Sequence, residues 1–151
     1  MIIIGYQGIG KSHLSKHPVN GGRFIDLESG LFKDENGRRP KNWVEIYCRI
    51  ALSLSGQGYT VMISSHMEVQ DRLVGCEEPV VAVFPSLRLK NYWIYRLRKR
   101  WENDRTTKNE IAYLDANANY DSEIKHLMHS GFKTYEIDRE NEFLEDVCKR
   151  L

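Results

Sequence analysis

The chain begins MIIIGYQGIGKSHLSKH, and its Gly5–Ser12 stretch fits the spacing G-x-x-x-x-G-K-[ST]. Ile2, Ile3 and Ile4 form a short apolar run of the kind that makes a strand buried on both faces. The glycines let the backbone wrap until several N–H groups point inward, where they cradle phosphate oxygens. The helix that follows presents its positive end to the same anion. In this arrangement Lys11 reaches the β- and γ-phosphates and the Ser12 hydroxyl ligates Mg²⁺. Gly5, Gly8, Ile9, Gly10, Lys11, Ser12 and His13 are the expected nucleotide contacts, with ATP and Mg²⁺ as the expected cofactors.

Beyond the loop, strand and helix patterns alternate to the end of the chain. A second strand reads at 23–29 (RFIDLES), a third at 59–64 (YTVMIS), a fourth at 79–84 (PVVAVF) and a fifth at 132–137 (FKTYEI). Trp43, Ile46, Tyr47, Ile50, Ala51 and Leu54 make one apolar stripe of a helix closed by Gly56 and Gly58. Short helical patterns read at 11–17 and 67–74, a basic one at about 87–103, and a longer one at 107–130 with Tyr120, Ile124, Leu127 and Met128 on one face. A last helix carries Phe143, Leu144, Val147, Cys148 and Leu151. This alternation predicts one α/β domain over residues 1–151, with a five-stranded parallel sheet between helices.

Bulk properties narrow the function. The net charge is only +1, so polyanion binding has no global driving force and needs a local patch. No apolar run reaches the ~18 residues of a membrane span, and the N-terminal residues lack a signal-peptide pattern. Three scattered cysteines, Cys48, Cys76 and Cys148, fit neither a disulfide framework nor a zinc spacing, and point to buried thiols in a reducing cytoplasm.

With its glycine loop and element order, the chain resembles the P-loop small-molecule and nucleotide kinases, a group that includes shikimate kinase, gluconate kinase and nucleoside monophosphate kinases. The resemblance implies a three-layer P-loop fold with a short helical lid at about 87–108, and transfer of the ATP γ-phosphate to a small acceptor. In that setting Asp26, at the end of the second strand, is the candidate acid for the acceptor hydroxyl, with Glu28 two residues on. The pair is similar to the Asp-x-Asp of shikimate kinase, with Glu in second place. The third strand ends in Ser64-Ser65-His66 where a nucleotide hydrolase often carries a metal-holding Asp. That polar end is similar to gluconate and shikimate kinases and unlike adenylate kinase.

Residues 86–108 hold eight basic side chains against two acidic ones. The run R-L-x-x-R from Arg96 to Arg100 resembles the lid of this group, which implies that Arg96 and Arg100 take up charge on the transferred phosphoryl group. Tyr92, Trp93 and Trp101 interleave with the bases, which is also the pattern of a polynucleotide-binding face. Arg39, Trp43, Ser65 and Arg72 are the remaining candidates for the acceptor, although Trp43 and Tyr47 also lie on the core stripe. A nucleoside or nucleoside monophosphate is the expected acceptor. A non-nucleotide hydroxyl compound, a polynucleotide end, or a nucleotide-dependent switch acting on a macromolecule are the alternatives. The sequence carries no signal for oligomeric state.

Overall fold

The computed structural model describes residues 1–151. Five parallel strands form a single sheet in the order β2-β3-β1-β4-β5. They are β1 (Ile2–Gly5), β2 (Phe24–Asp26), β3 (Thr60–Ser64), β4 (Val80–Pro85) and β5 (Lys133–Ile137). Helices α1 (Lys11–Lys16), α2 (Trp43–Gly56), α3 (Met67–Leu73), α4 (Lys90–Asn103), α5 (Thr107–Met128) and α6 (Leu144–Cys148) flank the sheet. The result is a three-layer α/β fold of P-loop NTPase type. The three central strands carry its core: Ile2, Ile3, Ile4, Val61, Met62, Ile63, Ala82 and Val83 are fully buried. That is why those segments read as unbroken apolar runs rather than as alternating ones.

Register decides where the polar ends of the strands meet. Gly5 pairs with Ser64 on one side and Val83 on the other. Asp26 pairs with Met62, two residues before the end of β3. The carboxyl ends of β1, β2 and β3 therefore open onto one cleft, as ligand sites in open α/β sheets do.

Three details differ from the sequence reading. β2 stops at Asp26, and a 3₁₀ turn over Ser29–Phe32 follows, so Glu28 lies beyond the strand. The buried face of α2 is Tyr47, Cys48, Ala51 and Ser55, and Ile50 is left exposed. The helix is rotated because the Tyr47 hydroxyl donates to the Leu27 carbonyl at 2.5 Å and accepts from the Ser64 N–H at 3.0 Å. Small Cys48, Ala51 and Ser55 then let the helix lie close to the sheet. Met128, expected on the core face of α5, is 41% exposed; the core stripe runs through Ala112, Ala116, Tyr120, Ile124 and Leu127.

Candidate functional site

A cleft of about 1260 Å³ opens above the carboxyl ends of the strands. On one side it is floored by Gly5, Gly8, Gly10, Lys11, Ser12 and His13 of the glycine loop and α1. Lys11 is held down in the loop: its Nζ donates to the carbonyls of Gly5 at 2.7 Å and Tyr6 at 3.1 Å. Burial pushes its pKa down to about 8, against a smaller opposing pull from Asp26. A Cβ on Gly5 would lie 2.7 Å from Ile9 Cδ1 and 3.0 Å from Lys11 Cδ, so glycine leaves the path for the lysine stem. Ile9 does not touch the cleft by its side chain, which is fully buried; its carbonyl accepts from Leu144 N at 2.9 Å and so ties the loop to α6.

The Ser12 hydroxyl donates to Asp26 Oδ2 at 2.6 Å. Two hard oxygen donors on adjacent elements, beside the glycine loop, suit Mg²⁺, which is held by one or two protein oxygens and fills its octahedron with phosphate and water. No group of three or more His, Cys, Asp or Glu side chains is arranged for a metal, and Mg²⁺ bound in this manner needs none. The carboxylate beside Ser12 thus comes from β2. The end of β3 supplies Ser64, whose hydroxyl donates to Ser29 Oγ at 3.3 Å.

The basic segment is anchored rather than free. Trp93 Nε1 donates to the Gln7 carbonyl at 2.9 Å, and Trp93 and Leu97 are buried against the loop. Gly8 has φ +81°, and a Cβ there would lie 3.0 Å from Leu97 Cδ2 and 3.2 Å from Trp93 Nε1. The two arginines diverge. Arg100 is close enough to Lys11 to disfavour its proton. Arg96 lies 4.5 Å from the Trp93 ring and 4.6 Å from the Phe143 ring, with its Nη1 buried and unpartnered. Both arginines line the cleft. Desolvation holds both guanidinium pKa values below the usual arginine range. Among the other bases of this segment, Arg88 pairs with Asp138, Lys90 with Asp121, and Lys108 with Glu28. Trp101 stacks on Tyr113 with centroids 5.7 Å apart.

The far side of the cleft holds Asp26, Glu28, Ser29, Arg39, Ser64, Ser65 and His66. Arg39 donates to the Ser29 carbonyl at 3.2 Å and to Ser29 Oγ at 3.1 Å, and its guanidinium lies 4.5 Å from the Trp43 ring. His66 Nε2 bonds Ser29 Oγ at 2.9 Å, and burial, helped by Arg39, lowers its pKa. Its imidazole is therefore a neutral hydrogen-bonding group. Two acceptor candidates do not line the cleft. Trp43 packs behind it on Phe32, Tyr47 and His66. Arg72 is exposed on α3, on the side facing Cys48 of α2.

Sequence reasoning missed one wall altogether. Asp115, Asn119 and Glu123 of α5 line the cleft, and Asp115 accepts from Gln7 Nε2 at 3.0 Å. The signal was present: these residues recur every four positions, one place before Ala116, Tyr120 and Ile124 of the core stripe. Such a row marks the border of the buried face, and here that border lies along the cleft.

No family model and no curated protein matches the sequence. Among solved structures, the Deinococcus radiodurans tunicamycin resistance protein is similar in fold, with 14% identity and a TM-score of 0.53. The match covers 99% of this chain and 91% of that one, so the likeness extends over the whole domain.

Proposed function

We propose that the protein is an ATP-dependent phosphotransferase that moves the γ-phosphate to a hydroxyl of a small acceptor. What carries the reading is the pairing of Ser12 with Asp26 in a cleft that continues past the phosphate cradle to a second polar wall. A nucleotide switch needs the cradle and the metal ligands; it does not need a second cavity for a small molecule.

Residues 5–12 hold the triphosphate, and Arg96, which lines the cleft between Trp93 and Phe143, would meet the nucleotide. Mg²⁺, held through Ser12 with Asp26 beside it, would neutralise the phosphate oxygens and fix their geometry. The acceptor oxygen attacks the γ-phosphorus in line. A bond forms between that oxygen and phosphorus, the bond from phosphorus to the β–γ bridging oxygen breaks, and ADP leaves with the electron pair. Asp26 takes the hydroxyl proton and passes it to solvent. Lys11 and Arg100 offset the charge on the transferred group.

Nucleosides and nucleoside monophosphates head the acceptors to test, with sugar acids, shikimate and a short oligonucleotide beside them. Coupled ADP release with Mg·ATP is expected to depend on one acceptor class. Slow release indifferent to every acceptor, combined with tight ATP binding, would instead make the protein a nucleotide switch.

A further inference from the structure

The α5 wall has a chemistry of its own. Asp115 already has two donors, Gln7 Nε2 at 3.0 Å and Asn119 Nδ2 at 2.9 Å. Glu123 is less well satisfied: its buried Oε2 has the Asp115 carboxyl and the Tyr6 hydroxyl nearby but makes no well-formed hydrogen bond. Beneath it, Tyr6 is fully buried, and its hydroxyl lies beside the Glu123 carboxyl and Gln7 without a well-formed hydrogen bond to either. A buried donor or acceptor without a good partner costs ~1–3 kcal/mol, so this carboxyl gains from any further donor that the occupant of the cleft brings. Four of the groups involved, Gln7, Asp115, Asn119 and Glu123, line the cleft itself.

The charges around this wall are one-sided. Burial and the neighbouring Asp115 both raise the Glu123 pKa, to about 7, and no Lys or Arg counters them. His126, one turn further along α5, has a buried, unpartnered Nε2 but does not line the cleft. Of the cations elsewhere in the cleft, Lys108 pairs with Glu28, Arg39 bonds Ser29 and Arg100 faces Lys11, while Arg96, its Nη1 unpartnered, lies between Trp93 and Phe143 and not against Glu123. A phosphate or carboxylate on the occupant would meet two carboxyls here without a counter-charge. A cation would supply the missing charge, and its N–H groups would satisfy Glu123 Oε2.

We propose that the Gln7–Asp115–Asn119–Glu123 wall, backed by the Tyr6 hydroxyl, is a subsite for the ammonium group of a small hydroxyl-bearing molecule. It rests on the phosphotransfer reading only in taking that molecule to be the acceptor. The acceptor class is then an amino sugar or amino alcohol rather than a phosphorylated one. The amine binds α5, and a hydroxyl of the same molecule extends toward Ser12 and Asp26.

The test compares amines with alcohols of matched shape: glucosamine against glucose, and ethanolamine against ethylene glycol. Binding is followed by ligand-observed NMR at pH 7.5 with Mg·ADP present, and ADP release is measured separately. Each amine is expected to bind at least tenfold more tightly than its alcohol. Glu123→Gln should erase that preference. Asp115→Asn is the second variant, with thermal melting to confirm that both fold, and it should weaken the preference. Equal binding within each pair, no saturable binding of either amine, or a preference that survives Glu123→Gln would overturn the proposal. Amine binding without acceptor-dependent ADP release would leave the subsite standing and remove the phosphotransfer reading. ADP release driven by a phosphorylated acceptor, with no amine bound, would do the reverse.

Discussion

Ser12 and Asp26 meet across 2.6 Å, the hydroxyl donating to the carboxylate, and so join the first turn of α1 to the last residue of β2. Asp26 thereby stands where a metal ligated by Ser12 would be flanked. Asp26→Asn keeps the shape and removes the charge. The Mg²⁺ concentration needed for half-maximal ATP binding should rise by ~10-fold or more, and turnover should fall by roughly 10²-fold or more. Titrating Mg²⁺ at fixed ATP separates the two effects. Full activity in the variant would remove Asp26 from both roles.

Lys11 is held by two carbonyls, and burial lowers its pKa to about 8. Only the ammonium form attracts phosphate. ATP affinity should therefore be full below pH 7.5 and decline as pH rises through 8 to 9.5. Binding at pH 8.5 should also take up a proton, which calorimetry in buffers of different ionisation enthalpy detects. Lys11→Ala should abolish both the affinity and its pH dependence.

Gly8 combines φ +81° with a Cβ position 3.0 Å from Leu97 and 3.2 Å from Trp93. Gly8→Ala pays in backbone strain of ~1–2 kcal/mol and pushes α4 away from the loop. Melting temperature should fall and ATP should bind more weakly. Trp93→Phe removes the bond to the Gln7 carbonyl and leaves a cavity where the larger indole was, so a loss of ~1–3 kcal/mol is expected. Equilibrium unfolding in denaturant measures both.

Arg96 and Arg100 are one turn apart yet have different surroundings. Arg96 lies against Trp93 and Phe143, whereas Arg100 acts on Lys11. Arg96→Ala should raise the KM for ATP and leave kcat within a few-fold. Arg100→Ala should lower kcat more than it changes KM. Steady-state kinetics with both variants gives the split, and identical profiles would refute it.

The Glu123 carboxyl has a pKa raised to about 7, above its unfolded value of ~4.3. The folded protein therefore binds more protons than the unfolded chain between those values. Wild-type stability should fall as pH rises from 5 to 8. Glu123→Gln cannot ionise there, so its melting temperature relative to wild type should rise over the same interval. A pH-independent difference would show that Glu123 is solvated normally.

The layered architecture was legible in the sequence because the buried strands are unbroken apolar runs and the glycine loop marks the first crossover. Element ends were less legible. Nothing in RFIDLES says that the strand stops at Asp26, since the stop is set by pairing with β3 only as far as Met62. Tyr47 shows a different limit. Helical periodicity placed it in the core, but its hydroxyl bonds at Leu27 and Ser64 come from residues distant in sequence, and they set the rotation of α2. The glycine loop could be read because one contiguous stretch builds it. The opposite wall could not, because Glu28 and Lys108, or Gln7 and Asp115, meet only after the chain has crossed the sheet.

The bond from Gln7 to Asp115 ties the glycine loop to the α5 wall, so ligands at the two ends of the cleft would depend on each other. On the proposed function, Gln7 belongs to the loop that would wrap the triphosphate, and Asp115 to the wall that would meet the second molecule. Whatever draws Asp115 toward that molecule alters the brace on the loop. By linkage, the factor by which nucleotide changes the second molecule's affinity equals the factor by which that molecule changes the nucleotide's. On the proposed function, the strength of that mutual dependence then becomes a property of one glutamine–aspartate contact.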